Sequence, residues 1–94
     1  MSDETLHATL EIVNKLGLHA RAAVLFVQAA TRFDAKVRVT KEGQTVDGRS
    51  IMGVMMLAAE CGSSIVIRAD GPDAEQAVQA LAELVAGWFG ETVP

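Results

Sequence analysis

An α+β open-faced sandwich in the order βαββαβα, a four-stranded antiparallel sheet covered on one face by three helices, is the fold these 94 residues predict. Three observations carry that expectation. Four short stretches alternate apolar and polar residues with a period of two, as half-buried strands do. Three others repeat apolar residues at helical spacing, so each helix has one face to bury. Strands that are polar on one side need only one cover, which suits an antiparallel sheet rather than a parallel sheet buried on both faces. With half its residues hydrophobic, the chain is expected to form one domain, residues 1–94, around an aliphatic core without metal or disulfide staples.

The elements follow in order. Leu6, Ala8, Leu10 and Ile12 alternate with His7, Thr9 and Glu11 in a first strand. Residues Asn14 to Leu18 break the pattern and form a loop. From Ala20 the period becomes helical, with Ala22, Phe26, Ala29, Ala30 and Phe33 on one face, until Asp34 ends the helix. Val37 and Val39 alternate with Lys36, Arg38 and Thr40; Glu42-Gly43 is a turn, and Gln44 to Asp47 returns as the second half of a hairpin. Ser50 is the expected N-cap of a short apolar helix over Ile51 to Ala59, stopped by Cys61-Gly62. Ile65, Ile67 and Ala69 mark a fourth strand. After Gly71-Pro72, Asp73 is expected to cap a last helix with Ala77, Val78, Leu81, Leu84, Val85 and Trp88 on its buried face, and the tail from Gly90 to Pro94 to fray.

Charge and cysteine usage exclude several classes of function. Twelve acidic against eight scattered basic residues give a net charge of −4, the wrong sign and distribution for a surface that tracks nucleic acid. One cysteine, Cys61, makes neither an internal disulfide nor a CxxC site, which suits a reducing compartment. The acidic start Met1-Ser2-Asp3-Glu4 does not resemble a signal peptide, and no apolar run approaches the ~18 residues of a membrane span. The expectation is a cytoplasmic protein without membrane insertion.

Two histidines offer chemistry. His7 falls on the polar side of the first strand and reads as solvated. His19 ends a loop and directly precedes a helix, where unpaired N–H groups collect, and Arg21 follows two residues later. An imidazole, a helix start and a guanidinium in one place make an anion site with a nucleophile inside it. No second His or Cys stands at metal-ligand spacing, no Ser-His-Asp arrangement suggests itself, and the glycines match no P-loop or dinucleotide fingerprint, so neither metal nor cofactor is expected.

The stretch Gly17-Leu18-His19-Ala20-Arg21-Ala22-Ala23 resembles the active-centre motif of HPr, the histidine-containing phosphocarrier family of the phosphoenolpyruvate-dependent phosphotransferase system. Ser50-Ile51-Met52-Gly53-Val54-Met55 resembles the second motif of that family, and the separation of the two motifs agrees with it as well. The resemblance implies that His19 accepts phosphate on Nδ1 from phosphorylated enzyme I and passes it to an EIIA domain, with Ala20 and Arg21 binding the phosphoryl group. It also implies a relay protein, expected here as a monomer, rather than a free-standing enzyme. Ser50 matches a serine that an HPr kinase/phosphorylase can modify, a role compatible with capping because a helix start tolerates added negative charge. Leu18, Val24, Leu25, Ile51, Met52 and Met55 are the expected partner interface. The chain departs from the family in having Ala22 where proline is usual, and Gln28 and Thr31 where many members carry lysines. Two alternatives stand beside this reading: a nitrogen-branch or regulatory paralogue using the same histidine, and a ligand-sensing α+β domain that would have no need of the His19 and Arg21 pairing.

Overall fold

The computed structural model describes residues 4–91. Its elements are β1 (Glu4–Glu11), α1 (Ala20–Ala30), β2 (Lys36–Lys41), β3 (Gln44–Asp47), α2 (Ile51–Met56), β4 (Ser64–Gly71) and α3 (Ala74–Ala86), followed by a single turn at Trp88–Gly90. The four strands form one antiparallel sheet in the order β1-β4-β2-β3. This is the expected βαββαβα sandwich, with β4, the last strand in the chain, inserted between β1 and β2.

Alternation in the sequence becomes two chemically different faces. Ala8, Ile67, Val39 and Val46 lie side by side across the four strands, and so do their neighbours His7, Arg68, Arg38 and Asp47. The first row packs into the core, where Ile67 and Val39 are fully buried, and the second is exposed on the opposite face. α3 lies against β1 and β4, α2 against β3, and α1 touches both other helices. Phe26 of α1 is fully buried among aliphatic residues that include Ile12, Ile65, Leu81 and Val54. Burying Phe26 alone stabilises the fold by ~1.5–3 kcal/mol. At the hairpin tip Glu42 and Gly43 both have positive φ, 49° and 83°, the mirror-image turn that matches the twist of the flanking strands.

Five local expectations are corrected. α1 stops at Ala30, not at Asp34: Thr31 bonds back to the Gln28 carbonyl through its hydroxyl, and the Asp34 N–H is drawn to the Asp73 carboxylate instead. Asp73 therefore caps nothing with its side chain; its two oxygens accept from the N–H groups of Asp34 and Ala35, tying the α1–β2 turn to the start of α3. α2 is shorter than Ile51 to Ala59, because Ala58 takes a left-handed conformation (φ 51°) that turns the Ala59 carbonyl toward Leu18. Trp88 leaves the face of α3, since the chain turns left-handed after Gly87, and Phe89 is buried in its place. That turn also holds Gly90 and Glu91 in a defined conformation where fraying is expected; residues 92–94 of the expected tail lie outside the described residues.

Candidate functional site

The loop between β1 and α1 is built to deliver one side chain. Ile12 exchanges backbone hydrogen bonds with Ser63 and Gly62, which extends the sheet pairing past β1. Asn14 accepts from the Gly17 N–H, closing a turn, and Gly17 has φ 70°. A side chain at Gly17 would put its Cβ 2.5 Å from the Ala59 oxygen, so only glycine lets the two backbones approach. The next N–H, that of Leu18, donates to the same Ala59 oxygen at 2.9 Å. His19 is then the extended residue at the head of α1 (φ −72°, ψ −180°), and its carbonyl accepts from Ala23 at 2.8 Å.

Among the described residues no side chain caps α1, and its first turn holds no acidic residue. The amides of Ala20 and Arg21 thus keep the unpaired N–H groups of a helix start, where an anion is favoured. Arg21 projects from the exposed side of that turn and, among the described residues, makes no ion pair. Ala22, at the position where proline is usual in the resembling family, is fully buried. The His19 side chain keeps 30% of its surface exposed.

The structure adds two residues that pattern reasoning overlooked. Glu91, from beyond α3, brings its Oε2 to 2.9 Å from His19 Nε2. Asn14, fully buried, donates through Nδ2 to the same oxygen at 2.9 Å and to the Gly17 carbonyl at 2.8 Å. The hydrogen bond from His19 lowers the Glu91 carboxyl below its ordinary value of 4.5; the hydrogen bond from Asn14 and electrostatic attraction from the His19 and Arg21 side chains add to this, against a smaller opposing effect of desolvation. Asn14 carries a faint sequence signal, an Asx residue opening a turn that contains glycine. Glu91 carries none, because 72 positions separate it from its partner.

The other expected site residues fall in two places. Ser50 caps α2, its Oγ accepting from Gly53 N–H at 3.0 Å. Ile51, Met52 and Met55 are exposed along α2, and with Met56 they line an open apolar groove. Met56, which core packing would equally have explained, is 64% exposed. Val24 and Leu25 are half-buried on α1. Leu18 is only 5% exposed and belongs to the core, so it underlies the active loop instead of contributing surface. His7 lies exposed on the open face of the sheet. Among the described residues, no helix is long and apolar enough to cross a membrane.

An open-faced sandwich that presents a single histidine at an uncapped helix start is the architecture of a small phosphocarrier. The comparisons with known proteins agree. The family model described as "PTS HPr component phosphorylation site" matches residues 6–87. A phosphocarrier protein HPr of Neisseria meningitidis is 51% identical over 86 residues, covering 92% of this chain and 97% of the relative. The crystal structure of an HPr from Thermoanaerobacter tengcongensis superposes with a TM-score of 0.90 at 43% identity, covering 94% of this chain and 99% of that one. A second structure from that organism, of an HPr dimer, gives 0.75 at 45% identity over 89% of this chain and 97% of that one. The chain belongs to the HPr family of phosphocarriers of the phosphotransferase system.

Proposed function

We propose that His19 accepts a phosphoryl group on Nδ1 from phospho-enzyme I, itself phosphorylated by phosphoenolpyruvate, and hands it to EIIA-type acceptors in sugar uptake or its regulation. The observation that carries this reading is the bare helix start: extended His19, uncapped first-turn amides and no acidic residue among them. The N–H groups of Ala20 and Arg21 and the Arg21 guanidinium are donors for phosphoryl oxygens, and they act most strongly when charge gathers there in the transition state. Partial exposure of the ring supports a carrier, which must be reached by two partners in turn.

Val24, Leu25, Ile51, Met52 and Met55 form the docking surface, extended by Met56 and supported from beneath by Leu18. Apolar side chains this exposed on one short helix favour an interface over core packing. Ser50 is the regulatory site for an HPr kinase/phosphorylase, since phosphate there would add charge beside that surface without removing the helix start that tolerates it. The protein works as a cytoplasmic monomer, a state that sedimentation in dilute solution tests. The relay itself is tested by incubation with phosphoenolpyruvate, Mg²⁺ and enzyme I followed by intact mass. One acid-labile phosphate is expected on wild type and on His7→Ala, and none on His19→Ala; an adduct that survives His19→Ala, or that is acid-stable, refutes the assignment.

A further inference from the structure

The contact between His19 and Glu91 is held by two arrangements that each work against the chain's ordinary preferences. After α3, Trp88, Phe89 and Gly90 adopt three successive left-handed conformations, with φ of 62°, 52° and 79°. Two of these residues carry bulky side chains, for which that region is unfavourable. The turn delivers Glu91 to the head of α1. On the other side of the carboxylate, Asn14 is fully buried and both its partners, the Gly17 carbonyl and Glu91 Oε2, are acceptors. The amide must therefore present its NH₂ end to both, and its Oδ1 is left buried with no hydrogen-bond partner among the described residues.

An ionised carboxylate only accepts hydrogen bonds, so across the 2.9 Å contact the ring is the donor: the proton sits on Nε2. In the neutral imidazole the lone pair is then on Nδ1. We infer that Glu91 is a positioning residue that keeps the imidazole proton on Nε2 through both halves of the phosphoryl relay, so that Nδ1 alone forms and breaks the bond to phosphorus. The inference rests on the reading of His19 as the phosphoryl carrier.

The steps balance without moving a proton on or off His19. In uptake, the Nδ1 lone pair forms the N–P bond while the bond from phosphorus to the donor breaks and its electron pair stays with the donor. The ring becomes a phosphoimidazolium that still carries Nε2–H, and Glu91 faces its positive charge. In delivery, the acceptor's nucleophile bonds to phosphorus, the Nδ1–P pair returns to Nδ1, and the ring departs as neutral imidazole. A ring that had lost its Nε2 proton would have to depart as an imidazolide anion, a far poorer leaving group. Glu91 guards against that, and against the tautomer in which Nδ1 is protonated and cannot attack.

The test has two arms on the full-length chain. In the first, ¹⁵N NMR of the unphosphorylated protein, with the ring neutral, reads the tautomer and the exchange of the ring proton with water. Wild type is expected to show one Nε2–H species with a protected proton; Glu91→Ala is expected to show averaged ring shifts and fast exchange, with circular dichroism unchanged. In the second, single-turnover uptake and delivery are measured with enzyme I and an EIIA acceptor. Glu91→Ala should lower kcat about tenfold, the scale seen when a metal-binding imidazole loses its carboxylate partner, while KM stays within twofold. Glu91→Gln, which keeps an acceptor without the charge, should fall between the two. Identical ring spectra and exchange in wild type and Glu91→Ala overturn the inference, as do altered spectra with unaltered rates. The first arm does not depend on phosphate; wild type that takes up no phosphate at all would instead overturn the relay reading.

Discussion

Replacing Gly17 by alanine isolates the contact that aims the active loop. At φ 70° an alanine sits in the left-handed region, which disfavours an L side chain by ~1–2 kcal/mol. The new Cβ would also lie 2.5 Å from the Ala59 oxygen and 3.0 Å from the Glu60 Cα, both backbone atoms that cannot rotate away. Relief requires the loop to lift, which gives up the 2.9 Å bond from Leu18 N–H to Ala59, a further ~0.5–1.5 kcal/mol. A total loss of ~1.5–3.5 kcal/mol is expected, which for a domain of this size lowers Tm by roughly 6–28 °C. Because His19 follows Leu18 directly, the lifted loop also shifts the ring against Glu91 and the first-turn amides, and phosphoryl uptake should fall with stability. Gly43→Ala is the matched control: Gly43 has φ 83° but open space around the Cβ position, so it should cost only the conformational ~1–2 kcal/mol and leave uptake unchanged. Urea unfolding and single-turnover uptake on both variants decide the matter. Equal destabilisation of the two, with uptake intact in Gly17→Ala, would refute the claim that the Ala59 approach sets the loop.

Three further outcomes are expected. Arg21→Ala should slow uptake about ten- to a hundredfold with the fold unchanged, since a charge-assisted contact to a phosphoryl oxygen contributes ~1.5–3 kcal/mol, and Arg21→Lys should recover only part; stopped-flow transfer rates check this. Ser50→Ala should lose ~1 kcal/mol because the Gly53 N–H loses its 3.0 Å partner, whereas Ser50→Asp should hold Tm yet raise the KM of enzyme I by adding charge beside Ile51, Met52 and Met55, as thermal melts and kinetics at low and high salt would show. Glu91, with its carboxyl lowered by folding, contributes stability that is present above the ordinary 4.5 and disappears as pH falls through the lowered folded value; acid unfolding of wild type and Glu91→Gln should therefore diverge above that window and converge below it.

Much of the molecule was legible along the chain because its signals are local. Alternation of Leu6, Ala8 and Leu10 with His7, Thr9 and Glu11 marks a strand whichever strand it pairs with, and the observed β1 divides into a covered and an exposed side on that pattern. The Ser50 cap and the Glu42-Gly43 turn need only neighbours within three residues, and both stand as read. His19 at the head of α1 is equally local, a loop residue followed at once by helical spacing. Sequence also carried the family, through two short motifs whose separation agrees with the fold. Other features depend on groups that meet only in space. α2 ends early because the Ala59 carbonyl is needed by Leu18, 41 residues before it. Asp73 reads as a helix cap until the N–H groups of Asp34 and Ala35 come within reach of its carboxylate. Leu18 is an apolar loop residue that belongs to a surface or a core depending on how the loop is tethered. Glu91 belongs to the site only because α3 and the left-handed turn after it carry the carboxylate back to the head of α1. No local periodicity encodes that meeting; the packing of α3 on β1 and β4, with the left-handed turn after it, decides where Glu91 meets His19.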